Sequence, residues 1–329
     1  MTRILISGAA GFIGFHLARR LAARPDHEVI CVDNFARGAR DKAFLALIAQ
    51  DNVRFVDADL CNETAVKALP TDVDYVYHLA ALNGTQNFYE RSLDVIRCCT
   101  LPTLFLAEHY SMAKALKRFV YAATSEAYAS TVTRFGWPVP TAEDVPLSID
   151  DVTNPRWSYA ASKMHGEIVT AQAGAARDMP YSIIRYHNAY GPRMGDRHVI
   201  PDFFERVRDG KYELFGHADT RSFLYIDDAV TATLAVGETQ ACRNEIVNVG
   251  GTEEITMLEL GNKMLSVREI TADIIKHPSP SGSVKRRAPD VAKLQRLTGF
   301  LAQVSLEDGL AATARYYLDD VLDGFGPID

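Results

Sequence analysis

The sequence of 329 residues lacks a long uninterrupted hydrophobic stretch and has no excess of positive charge. Hydrophobic residues make up 47% of the chain, but no run of them is long enough to span a bilayer, so we expect no membrane-spanning segment. Acidic residues outnumber basic ones by 42 to 35, which gives a formal charge of −7, and the basic residues form no stripe. Nucleic acid and anionic membranes are therefore not expected as partners.

Cysteine is also scarce, and its positions do not have the spacing of a metal site. The odd count of five consists of Cys31, Cys61, Cys98, Cys99 and Cys242. We therefore predict no metal, and reduced, mostly buried thiols of a cytoplasmic protein. The first residues run directly into a strand pattern and lack the apolar stretch of a cleavable signal, which also favours a cytoplasmic location. Internal repeats are absent, and the length suggests one large domain or two.

The first motif is a glycine turn between a strand and a helix. Residues 3–7 form an apolar strand pattern, followed by Gly8-x-x-Gly11-x-x-Gly14 and an amphipathic run. Gly8 permits a tight turn, Gly11 lets a pyrophosphate approach the backbone, and Gly14 allows close packing of helix on strand. The next strand ends in Asp33, about 20 residues on, where a carboxylate accepts from ribose hydroxyls and repels a 2′-phosphate. This pattern predicts NAD rather than NADP.

The second motif is Tyr159-x-x-x-Lys163, whose two side chains are neighbours on one face of a helix. A nearby ammonium favours phenolate, and use of the tyrosine as a base at neutral pH requires its pKa to fall by roughly 3 units, or about 4 kcal/mol. One lysine seldom supplies all of this, so a second cation such as an oxidised nicotinamide would help. By itself the spacing also fits a surface Tyr and Lys that merely share a helix.

Strand patterns alternate with helical ones through the first 190 residues. After the first two, they occur at residues 53–56, 74–79, 118–123, 180–186 and 245–250. This alternation predicts a Rossmann-type, doubly wound parallel α/β sheet. A helix is expected over residues 93–115, kinked or interrupted at Pro102.

We expect two units in the chain. The sheet domain comprises residues 1–187 plus about 229–256, and a smaller mixed α/β lobe that binds substrate comprises 188–228 plus 257–329. A mobile loop is predicted at residues 279–283, which are rich in Ser, Pro and Gly.

Taken in order, the motifs resemble the extended short-chain dehydrogenase/reductase family, in its nucleotide-sugar epimerase, dehydratase and decarboxylase branch. The motifs that carry this resemblance span nearly the whole chain: Gly8-x-x-Gly11-x-x-Gly14, Asp33, Asp59-Leu60, His78-Leu79-Ala80-Ala81, Thr124-Ser125-Glu126, Tyr159-x-x-x-Lys163, residues 185–193, residues 220–223 and Arg287-Ala288-Pro289-Asp290.

The resemblance implies an NAD-dependent enzyme that acts on a nucleotide-diphosphate sugar through a 4-keto intermediate. Tyr159 would be the base, assisted by Lys163, which would also hold the nicotinamide ribose, and by Ser125 or Thr124, which would bind the same sugar hydroxyl. The residues that would bind the cofactor are Gly8, Gly11, Phe12, Ile13, Gly14, Asp33, Asn34, Asp59, Leu60, Leu79, Ala80, Ala81, Tyr159, Lys163 and Tyr186. Those that would bind the substrate are Asn83, Glu126, His187, Asn188, His198, Val199, Arg221 and Arg287. A homodimer through the Tyr159 helix and its neighbour is also implied.

Glu126 bears most on the reaction, because a carboxylate there can act as general base at carbon 5 or assist loss of a uronic acid carboxylate. Its alternative role is to hold a loop. His187 either donates to the sugar or is a packed ring, and Cys99 stands where the family usually has a cofactor-contacting Asn. A simple 4-epimerase is the alternative reaction, and a non-catalytic NAD-sensing Rossmann protein is the alternative from another class.

Overall fold

A computed structural model of the chain describes residues 1–195, 198–279 and 284–319. The loop predicted at residues 279–283 lies outside the described residues except for Ser279, and so does the end of the predicted second lobe, residues 320–329.

Within the described residues, seven strands form one parallel sheet in the order β11-β6-β5-β4-β1-β2-β3. These strands are β1 Thr2–Ser7, β2 His27–Asp33, β3 Val53–Asp57, β4 Tyr75–His78, β5 Arg118–Thr124, β6 Tyr181–Tyr186 and β11 Glu245–Val249. Growth of the sheet reverses direction between β1 and β4, which opens a crevice at their carboxyl ends where ligands bind in such folds. The predicted doubly wound parallel sheet is confirmed.

Helices cover both faces of this sheet, as a parallel sheet requires. In chain order, the helices of the described residues are α1 Phe12–Ala22, α2 Lys42–Ile48, α3 Glu63–Lys67, α4 Thr85–Glu90, α5 Ser92–Tyr110, α6 Ala129–Phe135, α7 Trp157–Arg177, α8 Val199–Arg208, α9 Ile226–Glu238, α10 Met257–Ser266, α11 Ala292–Thr298 and α12 Leu306–Leu318. Of these, α8, α10 and α12 pack together away from the seven-stranded sheet. Short 3-10 turns occupy Ser125–Tyr128 and Gln240–Cys242. No helix of the described chain has the length and hydrophobicity needed to cross a membrane.

Alternation along β1 divides the core into two layers. Ile4 and Ile6 pack on one face, in a cluster with residues of α1 and α9, whereas Leu5 packs on the other with Leu106 of α5. Each of these side chains is almost completely buried. Successive strand residues point to opposite faces, so a continuous apolar strand is buried on both sides.

Short strands outside the main sheet form smaller sheets with the orders β12-β9-β14, β10-β7 and β13-β8. Their ranges are β7 Ala189–Tyr190, β8 Glu213–Phe215, β9 Thr220–Ser222, β10 Leu224–Tyr225, β12 Glu254–Thr256, β13 Ile275–His277 and β14 Arg286–Arg287. A separate hydrophobic cluster, which includes Phe203, Phe204 and Leu260, lies among the later helices. The two-unit division at the predicted boundaries stays a prediction.

The predicted interruption at Pro102 is wrong, because α5 runs through it without a break. Proline cannot donate to the carbonyl of Cys98, one turn earlier, so the helix lacks one backbone hydrogen bond there. Pro102 itself is buried. Tertiary packing against α7 therefore outweighs the local preference of proline, and the helix ends at Tyr110 rather than near residue 115.

Candidate active site

The glycine turn leaves no room for side chains between β1 and α1. Gly8 has a φ of +75°, and a Cβ there would lie 2.7 Å from the Ala80 nitrogen. A Cβ on Gly14 would lie 2.1 Å from the Gly8 carbonyl oxygen. Gly11 begins α1 with extended backbone and no side-chain cap, so the first N–H groups of the helix keep no side-chain acceptor. This helix start, which contains Phe12 and Ile13, fits a pyrophosphate.

Asp33 lies beside this turn at the end of β2 and is 8% exposed. Its two oxygens accept from the Ala10 and Phe35 N–H groups at 2.9 and 2.8 Å. Burial raises its pKa above the usual value, although these backbone donors oppose the rise. A carboxylate oxygen can accept more than one hydrogen bond, so the site fits a ribose hydroxyl as a further donor. The next loop carries Asp59, whose side chain accepts from the Cys61 N–H at 3.0 Å.

The floor of the crevice is formed where β4 ends. His78 is 1% exposed, and its ring nitrogens contact Ser7 Oγ at 2.7 Å and Thr103 Oγ1 at 2.9 Å. Burial holds its pKa well below the usual value, so the ring is neutral. The Ala80 N–H donates to Ser7 Oγ at 3.3 Å, which fixes the small residues Leu79–Ala81 next to the glycine turn.

Tyr159 and Lys163 project from α7 into the crevice and are 9% and 2% exposed. Lys163 Nζ donates to the Ala122 carbonyl at 2.7 Å and lies 4.9 Å from the centre of the Tyr121 ring. The Tyr159 ring stacks on Phe88 at 5.0 Å. The motif therefore places both side chains against the end of β5.

The expected lowering of the Tyr159 pKa by Lys163 is wrong. Burial raises the pKa of this phenol above its usual value, and the groups that oppose the rise are Thr124 and Arg37. Burial also lowers the pKa of Lys163. Sequence spacing shows that the two residues are neighbours, but it does not show how far water is excluded from them.

Thr124, Ser125 and Glu126 follow β5 directly, at the carboxyl edge of the sheet. The Thr124 hydroxyl accepts from the Glu126 N–H at 3.2 Å and begins the 3-10 turn. Glu126 lies between two guanidiniums, with Arg287 at 2.7 Å and Arg156 at 3.4 Å. Burial alone would raise the pKa of Glu126, but these arginines outweigh it and hold the pKa below its usual value.

The arginines come from separate parts of the chain. Arg221 in β9 and Arg287 in β14 are direct partners in a parallel ladder, and Arg156 immediately precedes α7. Burial, with the charge of Arg287, lowers the pKa of Arg221 to about 10. Among the described residues, the Nε atoms of Arg156 and Arg287 are buried without a hydrogen-bond partner. Three guanidiniums and one carboxylate thus form a half-buried cluster with a net positive charge, which we call the arginine cluster (Arg156, Arg221, Arg287 and Glu126).

His187 is packed rather than exposed to a pocket, being 1% exposed with its Nε2 at 3.3 Å from Asn248 Oδ1. Burial lowers its pKa to about 3, with Arg287 acting in the same direction. Asn188 has a φ of +40° and donates to the Ser222 carbonyl at 2.8 Å. Tyr186 bonds Thr233 Oγ1 through its hydroxyl at 2.7 Å. These side chains already have protein partners, so their predicted ligand roles stay predictions.

The remaining predicted residues lie at the ends of helices and loops. His198 precedes α8 and Val199 is its first residue. Asn34 accepts from the Ala36 N–H at 3.0 Å. Leu60 is buried in the core layer next to α5. Asn83 accepts from Arg37.

Sequence reasoning missed Arg156 and Arg37. Arg156 stands three residues before Tyr159, and a positive charge so close to the predicted base was the signal that could have identified it. Arg37 could not have been found, because it lies in a loop and approaches Tyr159 only in the fold. Cys99 is buried and its Sγ lies 3.8 Å from the Leu82 carbonyl.

The comparisons with known proteins agree on one family. The model of the NAD dependent epimerase/dehydratase family matches residues 4–250. UDP-N-acetyl-alpha-D-glucosaminuronate decarboxylase of Bacillus cytotoxicus is 32% identical over 327 residues, covering 96% of this chain and 97% of that protein. The crystal structure of UDP-glucuronic acid 4-epimerase from Bacillus cereus with UDP-glucuronic acid and NAD is 28% identical with a TM-score of 0.84, covering 97% and 99% of the two chains. DesIV, a dTDP-glucose 4,6-dehydratase from Streptomyces venezuelae with NAD bound, is 28% identical with a TM-score of 0.85, covering 97% and 98%.

Proposed function

Because the chain belongs to the NAD dependent epimerase/dehydratase family, we propose that it is an enzyme that decarboxylates a nucleotide-diphosphate uronic acid through a 4-keto intermediate. It is an NAD-dependent, nucleotide-sugar-modifying enzyme, and NAD as the cofactor confirms the prediction from Asp33. The observation that carries the more specific proposal is Glu126 held between Arg156 and Arg287 at the end of β5.

The residues present fit NAD. The open start of α1, the close approach of Gly8 to Ala80 and the buried carboxylate of Asp33 form a cradle that any added Cβ would obstruct. Lys163, one helical turn from Tyr159, would hold the nicotinamide ribose. When bound, NAD would accept a hydride from carbon 4 of the sugar and later return it.

Tyr159 takes the proton from the 4-hydroxyl during oxidation and returns it at the end. Its raised pKa makes it a poor base in the protein alone. A positive charge on the bound cofactor near Tyr159 would favour phenolate and lower this pKa. Thr124 and Ser125, at the end of β5, are placed to hydrogen-bond the same sugar oxygen and stabilise the charge that develops on it.

Glu126 supplies the proton needed at carbon 5. Once carbon 4 is a ketone, the bond from carbon 5 to the carboxylate breaks, CO₂ leaves, and its electron pair forms an enolate that requires a proton on carbon 5. Anions of the substrate draw Arg287 and Arg156 away from Glu126. Burial then dominates and raises its pKa, so the carboxyl group takes up a proton that it can donate.

A panel of sugar nucleotides tests this proposal. The pure NAD-loaded protein is incubated with neutral and uronic acid sugars on each nucleoside diphosphate, and product masses are recorded. Loss of about 44 mass units from a uronic acid supports decarboxylation, loss of about 18 means dehydration, and a new chromatographic species of unchanged mass means epimerisation. Either of the last two results would overturn decarboxylation and leave the family assignment in place.

A homodimer through α5 and α7 is part of the same proposal. These two helices pack side by side, and Leu93, Ile96 and Ile168 remain exposed on them. Apolar side chains gathered on adjacent helices favour an interface between copies of the chain. Sedimentation of the wild type and of Leu93→Glu would show a dimer that the variant loses. Cytoplasmic location stays a prediction.

A further inference from the structure

Two of the three arginines in the arginine cluster lie side by side on neighbouring strands, and the third does not. That group carries one negative charge on each phosphate. Arg221 and Arg287 are adjacent in register on β9 and β14, so they can face both phosphates together. Burial, and next the charge of Arg287, lowers the pKa of Arg221, so a bound anion would favour both guanidiniums. Arg156 comes from a different element and is left over.

Arg156 has an incomplete set of partners. Its contact with Glu126, at 3.4 Å between Nη2 and Oε2, is longer than a charge-assisted hydrogen bond, which usually measures about 2.7–2.9 Å. Its side chain is 16% exposed. Within the part of the chain that the structure describes, its Nε has no partner although it is buried. A guanidinium presents a planar fork that matches a carboxylate with two parallel hydrogen bonds.

The position of Arg156 places this fork next to the reacting carbons. It lies three residues before Tyr159, the base for carbon 4, and it contacts Glu126, which serves carbon 5. The carboxylate of a uronic acid is attached to carbon 5. It is therefore the substrate group that approaches Arg156 when carbon 4 is at Tyr159 and carbon 5 is at Glu126.

We propose that Arg156 is a specificity-determining residue that binds the carbon-6 carboxylate of a nucleotide uronic acid, exchanging its contact with Glu126 for the substrate. This inference rests on the proposed function and adds how the charged sugar is distinguished from its neutral counterpart. A neutral sugar leaves Arg156 on Glu126 and gains nothing from it.

The test measures the binding of two sugar nucleotides to a variant that cannot convert its substrate. UDP-glucuronic acid and UDP-glucose are titrated by calorimetry into the NAD-loaded Tyr159→Phe protein, alone and combined with Arg156→Gln, Arg156→Lys or Arg177→Gln. Arg177, at the far end of α7, is an exposed control that removes the same charge. We expect the parent to prefer the uronic acid, and Arg156→Gln to weaken its binding by about 10- to 100-fold, as loss of one partner of a buried charge pair does.

The same change should alter UDP-glucose binding by less than about 3-fold, Arg156→Lys should restore part of the preference, and Arg177→Gln should leave it unchanged. Equal weakening of both sugars by Arg156→Gln would show that Arg156 only holds Glu126, and would overturn the inference. No preference for the uronic acid in the parent would overturn it as well.

The inference and the proposed function fail separately. Decarboxylation by the wild type, together with a uronate preference that survives Arg156→Gln, overturns the inference alone. Absence of decarboxylation overturns the proposed function, while a preference removed by Arg156→Gln would still identify Arg156 as the carboxylate-binding residue.

Discussion

The cofactor crevice and the arginine cluster are built in opposite ways. In the crevice, the backbone determines the shape of the site. There is no room for side chains at Gly8 and Gly14, and two backbone N–H groups hold Asp33 in place. In the cluster, long charged side chains from β9, β14, α7 and the turn after β5 converge, and some of their donors have no partner among the described residues. The first region is preorganised for NAD, whereas in our proposal the second exchanges its ion pairs when the nucleotide sugar binds.

Replacement of the proposed base, Tyr159, should have the largest effect on turnover. It should also leave the cofactor crevice able to bind NAD. Tyr159→Phe is expected to lower kcat on the order of 10³-fold, because proton transfer by a positioned side chain contributes about 10²–10⁴-fold. The ring still stacks on Phe88, so NAD should remain bound. Steady-state kinetics and the NAD content of the purified variant measure both effects. Near-normal turnover would show that another group removes the proton.

Loss of a diphosphate partner should affect binding next most strongly. Arg287→Ala is expected to raise the KM for the nucleotide sugar by at least about 30-fold, since a buried anion loses a charged partner. Arg286→Ala is the matched control, because its exposed side chain on the same strand pairs with Glu254 instead. Equal KM values for the two variants would place the diphosphate elsewhere.

A change at Asp33 should weaken the crevice and leave the cluster intact. Asp33→Asn is expected to reduce NAD affinity by about 10- to 100-fold, as loss of a hydrogen bond to a charged group does, and to reduce the preference over NADP. Calorimetric titration of both cofactors checks this, with the thermal midpoint as a control for the Ala10 and Phe35 contacts. Unchanged discrimination against NADP would mean that Asp33 only fixes the glycine turn.

The smallest expected effect is on the pH dependence of stability, and it comes from His187, the packed ring next to the arginine cluster. The pKa of His187 is about 3 when folded, below its value of about 6.5 when unfolded, so the unfolded chain binds the proton more readily. Its contribution to stability is complete above about pH 6.5 and is lost as pH falls toward 3. His187→Phe should flatten the acid side of the stability curve measured by urea unfolding. An equally steep acid loss in the variant would assign it to other groups, such as His16, whose pKa burial also lowers to about 3.

The same contrast explains what the sequence could predict. Gly8, Asp33 and the strand alternation follow local rules of backbone geometry, and the fold and NAD were predicted from them. The pairing of Tyr159 with Lys163 follows from helix spacing, but the raised pKa of Tyr159 depends on burial that spacing does not contain. The spacing of Arg156 and Tyr159 could have indicated Arg156 as a site residue, but its contact with Glu126 forms only when segments 30 residues apart pack together.

The central claim is that Tyr159 takes the proton of the 4-hydroxyl while carbon 4 is oxidised, and that Glu126 then delivers a proton to carbon 5. The most direct measurement follows, in D₂O, both reduction of the bound cofactor and deuterium at carbon 5 of the sugar, in the wild type and in Glu126→Gln with a nucleotide uronic acid. We predict that the wild type shows both, and that Glu126→Gln still oxidises carbon 4 but incorporates deuterium at carbon 5 at least about 100-fold more slowly. Incorporation at the wild-type rate in Glu126→Gln would contradict this account.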